Sequence, residues 1–167
     1  MVHRRGLLIF SSVLLSFGCS TPPKYQPTLA SPEAVSSSPL TASKKQDVVI
    51  QAIAMLDRRY TYGGKKLHTG FDCSGLVSFV YKESAGIPIK GSAYDIASVT
   101  QPIHAEQASP GDLVFFNTLG SPFSHVGIYI GSGKFIHAAN EKTGVKVERL
   151  NSPYWAQRFQ GFRTVLA

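Results

Sequence analysis

Cysteine is scarce in this chain, with two in 167 residues, Cys19 and Cys73. Because Cys19 lies in what reads as a targeting segment, a disulfide framework is excluded for the mature domain. Long apolar runs are missing as well. The N-terminal run Gly6 to Phe17 has twelve residues, whereas a bilayer core needs about 20. With His3-Arg4-Arg5 before it and Gly18-Cys19 after it, residues 1–19 read as a secretory signal rather than a transmembrane helix. Charged residues make up only 16% of the chain. The formal net charge of +7 divides into five Lys/Arg against one acidic residue over 1–46 and twelve against nine over 47–167. No basic run is interleaved with aromatics, so nucleic-acid binding has no support. A mildly basic domain suits an anionic wall or lipid surface.

A small residue followed by cysteine at the end of the apolar region suggests a bacterial lipoprotein, acylated (palmitoylated) at Cys19 after cleavage and held to a membrane by that anchor. Ser16 stands where the usual motif has leucine, with Leu15 one position further back. Ser20, in place of aspartate, resembles lipoproteins sent to the outer membrane, facing the periplasm. Residues 20–42 are rich in Ser, Pro and Thr, with almost no charge and no period. They read as a disordered tether.

The folded part is expected over 43–167. Ser43-Lys44-Lys45-Gln46 forms a capping-box pattern, and Val48, Val49, Ala52, Ile53, Leu56 and Tyr60 follow on a helical stripe. Short strands are predicted at Leu113–Phe116, Ser124–Ile130, Lys134–Ala139, Val145–Leu150 and Gly161–Leu166, with Gly, Pro or Asn between them. Helices first and strands later indicate an α+β domain, its N-terminal helices packed on a central antiparallel sheet.

Asp72-Cys73-Ser74-Gly75 stands between a turn and an amphipathic run, Leu76, Val77, Val80 and Tyr81, which Gly86 and Pro88 end. Cys73 falls in the first helical turn, with Asp72 as N-cap. Amide groups and the positive end of the helix dipole would favour its thiolate and lower its pKa. An inert core cysteine fits helix position alone equally well. Two histidines shift that balance. Ser124 to Ile130 alternates His125, Gly127 and Tyr129 against Val126, Ile128 and Ile130. A three-residue loop Gly131-Ser132-Gly133 would pair Ile130 with Lys134 and set Gly127 opposite His137. His125 and His137 then share a face as diagonal neighbours, whereas a two-residue turn would put them on opposite faces. Cysteine as nucleophile, His125 as base and His137 as orienting group is an arrangement suited to acyl transfer. Zinc on Cys73, His125 and His137 is the competing use of the same residues, but no paired thiol or histidine stands at ligand spacing, so no metal is expected. His68 and His104 receive no role.

Five motifs in order, Tyr60-Thr61-Tyr62-Gly63-Gly64, Phe71-Asp72-Cys73-Ser74-Gly75-Leu76-Val77, Pro110-Gly111-Asp112-Leu113-Val114-Phe115-Phe116, Ser124-His125-Val126-Gly127-Ile128-Tyr129 and Phe135-Ile136-His137-Ala138, resemble the NlpC/p60 family of papain-like cell-wall cysteine peptidases. Pro153-Tyr154-Trp155 resembles its single-domain lipoproteins. The resemblance implies hydrolysis of amide bonds in peptidoglycan stem peptides or their cross-links, without a cofactor, through Cys73, His125 and His137. It further implies Tyr60 beside the nucleophile, the Cys73 amide at the oxyanion, Asp72 and Ser74 in the substrate cleft, and a monomer. The chain departs from the family at Ile89-Lys90-Gly91-Ser92-Ala93-Tyr94-Asp95-Ile96, where many relatives carry arginine and glutamine. That departure leaves a second reading open, a catalytically weak wall-binding lipoprotein that holds stem peptides in the same cleft.

Overall fold

A computed structural model describes residues 38–166; the expected signal segment, the acylation site Cys19 and the tether as far as residue 37 lie outside the described residues. Ser38 opens the first helix. Its Oγ accepts the Thr41 amide at 3.2 Å, and Pro39 occupies a first-turn position where its missing N–H is no loss. Helix α1 thus runs Pro39–Ala54 and begins ahead of the expected Ser43. Residues 39–42, read as the end of the tether, are helical. The helix also stops short of Tyr60, as Asp57 takes a φ of 62°. Val48 and Ala52 are buried on its inner face, while Ile53 is 49% exposed.

Strands β1 (Lys65–Lys66) and β2 (Gly70–Phe71) form a small antiparallel hairpin, and Tyr60 makes a single parallel bridge to Phe71. Helix α2 spans Cys73–Ala85. Its predicted apolar face, Leu76, Val77, Val80 and Tyr81, is buried, and it ends at Gly86, whose φ of 71° suits a residue without Cβ. The departing segment builds α3 (Ala93–Val99), whose N-terminus is fixed by a reciprocal capping box between Ser92 and Asp95.

The remaining strands are β3 (Gln101–Ile103), β4 (Leu113–Phe116), β5 (His125–Gly131), β6 (Lys134–Asn140), β7 (Gly144–Arg149) and β8 (Phe159–Thr164), with a short helix α4 (Pro153–Ala156) before the last. They form one antiparallel sheet in the order β3-β8-β4-β5-β6-β7. Alternation gives the sheet two apolar faces. Leu113, Phe115, Val126, Ile128 and Ile136 meet the helices in the main core, and Val114, Phe116, Phe135, Trp155 and Phe162 form a second cluster. This is the α+β arrangement the sequence led us to expect, and β3 and the β1–β2 hairpin are additions to it.

The β5–β6 turn differs in detail from the reading above. Gly131 pairs with Lys134, so the loop is the two residues Ser132-Gly133, both at positive φ. A bulge between Tyr129 and Gly131 absorbs the extra residue. Beyond it Tyr129 pairs with Phe135 and Ile128 with Ile136, and continuing that register sets Gly127 opposite His137. A two-residue turn therefore coexists with two histidines on one face.

Candidate active site

Everything that positions Cys73 is built on the α2 N-terminus. Asp72 Oδ1 accepts the Gly75 amide at 2.6 Å and the Ser74 hydroxyl at 3.0 Å, and Oδ2 accepts the Gly63 amide at 3.0 Å. One carboxylate thus caps the helix and fastens the Tyr60–Gly64 loop to it. The Asp72 amide in turn donates to the Gly64 carbonyl. A Cβ on Gly75 would stand 1.9 Å from that carbonyl oxygen, which explains the glycine after Cys-Ser. Asp72 and Ser74 border the cleft, but their polar atoms serve this fastening.

The cleft has a volume of about 730 Å³, and Tyr60, Asp72, Cys73, Ser74, His125 and Trp155 are among its walls. Gly91, Ser92 and Ala93 of the departing segment line it as well. The amide of Val126, next in the chain to His125, points at the Cys73 sulfur together with the amides of Ser74 and Cys73. That places the thiol against the start of β5. His137 lies behind His125 and is buried, and His125 Nε2 is 2.8 Å from His137 Nδ1.

The electrostatics run against the sequence-based expectation for the thiol. Burial pushes Cys73 up from 9.0 to about 11, the amides pull the other way, and the Asp72 carboxylate adds to the rise. The amides that favour the anion are present, but desolvation outweighs them. Burial also pushes His125 down from 6.5 to about 4, and it holds His137 well below the usual value, helped by His125 and Lys146. Both shifts favour a neutral thiol and a neutral imidazole at rest. Burial, then Cys73 and Asp72, raises the Tyr60 hydroxyl, and Tyr60 and Cys73 line the same cleft.

Trp155 is the site residue that sequence reasoning left without a role. The only tryptophan of the chain, it lies at 31° to the His125 ring with centroids 5.4 Å apart, and edge-on to His137 at 4.8 Å. With Phe116 and Phe135 it boxes both imidazoles. Its place in Pro153-Tyr154-Trp155, noted above for its resemblance, was the available clue. His68 and His104 lie on exposed segments away from this group. No group of three or more His, Cys, Asp or Glu among the described residues is placed to hold a metal ion, and no helix among them is long and apolar enough to cross a membrane.

The model of the NlpC/P60 family matches residues 57–164. The chain is 37% identical over 114 residues to murein DD-endopeptidase MepH of Escherichia coli (strain K12), covering 66% of this chain and 42% of that protein. It is 38% identical over 109 residues to murein DD-endopeptidase MepS/murein LD-carboxypeptidase of the same strain, covering 65% and 56%. A crystal structure of an NLP/P60-family protein similar to lipoprotein, from Staphylococcus aureus subsp. aureus Mu50, superposes with a TM-score of 0.66 at 35% identity, covering 74% of this chain and 42% of that one. The chain thus matches less than two thirds of the length of each of these relatives.

Proposed function

The chain belongs to the NlpC/P60 family, and from that membership we propose that it is a peptidoglycan endopeptidase of the cysteine type, cutting amide bonds in stem peptides or their cross-links. The observation that carries this reading is the 2.8 Å contact between His125 Nε2 and His137 Nδ1, on a histidine that shares its cleft with Cys73. It leaves His125 Nδ1 as the ring nitrogen for the thiol. For Nδ1 to accept a proton, Nε2 must carry one and donate it to His137 Nδ1. His137 thereby fixes the tautomer of the base.

With both partners neutral at rest, the thiol proton passes to His125 Nδ1 as Sγ bonds the substrate carbonyl carbon. The tetrahedral oxyanion faces the α2 N-terminus, where the Cys73 amide beside the sulfur is the proposed donor. Collapse breaks the C–N bond, the His125 proton goes to the leaving amine, and a thioester remains on Cys73. Water, deprotonated by His125, then releases the acid and restores the thiol. Tyr60 bounds the nucleophile's side of the cleft. The expected substrate is peptidoglycan because both named relatives above are murein hydrolases by name. We place the protein in the bacterial envelope, with acylation at Cys19 as its membrane attachment.

The test is mass spectrometry of purified muropeptides after incubation with the full chain. New fragments that sum to the parent plus one water are expected, and their masses name the bond. Intact muropeptides under conditions in which the protein binds them would favour the wall-binding reading instead.

A further inference from the structure

On the other side of the β1–β2 hairpin from the catalytic cleft lies a second cavity of about 360 Å³. This falls within the size range of small-ligand sites. Its rim carries Lys65, Lys66, Lys82 and Lys90, with Glu83 as the one carboxylate. Glu83 lies 3.4 Å from Lys82 in an exposed pair, which offsets one of four cations and leaves three. Leu67, Phe79, Pro88 and Ile89 make an apolar wall, with His68 beside them. Ser78 also lines it, and the Ser78 Oγ is buried with no hydrogen-bond partner among the described residues. Six positions further along the same helix, Ser84 donates to the Val80 carbonyl at 2.7 Å, the usual resource of a helical serine. Ser78 leaves that resource unused.

We propose that this cavity is a second substrate subsite, which takes a carboxylate-bearing end of the peptide held in the catalytic cleft. The proposal rests on the peptidoglycan reading above for its ligand. Three observations converge on it. Lys65 lines the cavity, the catalytic cleft and a further groove, so the cavity and the cleft adjoin at one cationic side chain. The cavity's own charge is positive, and Ser78 in its wall carries a hydroxyl that no group among the described residues satisfies. Stem peptides, with free carboxylates on short aliphatic side chains and ends, match a cationic rim over an apolar wall. The concave shape suits a chain end rather than a flat lipid surface.

The test uses the full chain carrying Cys73→Ala, so that ligand is not consumed, titrated calorimetrically with a muropeptide tetrapeptide and with the same compound amidated at its carboxylates. Lys82→Gln/Lys90→Gln, both on exposed side chains, should weaken binding of the free acid at least tenfold and leave the amidated ligand's affinity unchanged. Ser78→Ala should cost a few-fold in affinity without lowering the melting temperature, since Oγ has no protein partner to lose. Equal affinities for all variants, or no binding at all, overturn the subsite. Loss of binding to vesicles of 30% phosphatidylglycerol with unchanged muropeptide affinity would overturn it in favour of a lipid headgroup. Cleavage by the Cys73 protein is a separate readout. Its absence with the Lys82/Lys90 effect intact sinks the hydrolase and keeps the subsite, and its presence without that effect does the reverse.

Discussion

His125 and His137 are both buried, and one nitrogen of each faces the other, so in the proposed mechanism they act as a unit. Removing the His137 ring by Ala leaves the His125 tautomer unheld. We expect His137→Ala to lower kcat on muropeptides by about a hundredfold, the order of general-base effects, with KM little changed. His137→Asn offers an oxygen to His125 Nε2 and should recover part of the loss. A KM effect alone would indicate a structural role. The pKa shifts set the pH profile. Burial disfavours both charged forms, so His125 stays a competent base down to about pH 4 and Cys73 stays a thiol up to about pH 11. The acid limb of kcat/KM should therefore fall well below the ordinary histidine value of 6.5, and a limb between pH 6 and 7 would contradict the neutral pair. At this scale the sequence was a good guide to which residues meet. Asp72-Cys73-Ser74-Gly75 announced a capped helix start, and the two histidines announced a shared face. It was a poor guide to their titration, because desolvation depends on how deep the fold sets each group.

At the scale of elements, the site depends on how α2 is fastened and how β5 is registered. Gly75→Ala would drive a methyl into the Gly64 carbonyl. The expected cost is about 2 kcal/mol, with cleavage lost as the Tyr60 loop separates from Cys73. Asp72→Ala removes the cap, at a cost of about 1 kcal/mol. Thermal melts of the two variants should rank in that order. The β5–β6 hairpin shows where pattern reading stops. A three-residue loop was the premise that put Gly127 opposite His137, and a two-residue turn was expected to reverse the faces. The turn has two residues, and the bulge at Ile130, which alternation does not reveal, restores the register. Strands as short as β1, β2 and β3 carry too few residues for any period. The start of α1 escaped for a different reason: Ser38-Pro39 is a cap-and-first-turn signal set in a Ser/Pro-rich stretch that reads as tether.

Among the described residues, helix α1 is tied to the sheet by one buried ion pair. Lys45 of α1 lies 2.7 Å from Asp112 Oδ1, just before β4, and Asp112 Oδ2 accepts the Ser109 amide at 2.9 Å and its hydroxyl at 3.1 Å. Asp112 is fully buried. Lys45→Met would strand that carboxylate, and we expect a loss of about 3 kcal/mol in urea unfolding; a loss under about 0.5 kcal/mol would mean that α1 docks by apolar packing alone. Acid should also weaken the whole fold. His125 takes its proton less readily folded than unfolded, so the unfolded chain binds more protons between about pH 6.5 and 4. Stability is complete above that window and falls through it, by about 3 kcal/mol for this group, and His125→Asn should flatten the slope. The proposed nucleophile and base come from segments about fifty residues apart, on a helix and a strand that the packed domain brings to one cleft. The most direct measurement is the rate of muropeptide cleavage by the wild type and by Cys73→Ala at equal concentrations of folded protein. The account predicts a loss of at least a thousandfold with an unchanged melting temperature, and a variant that keeps more than a tenth of the rate would contradict it.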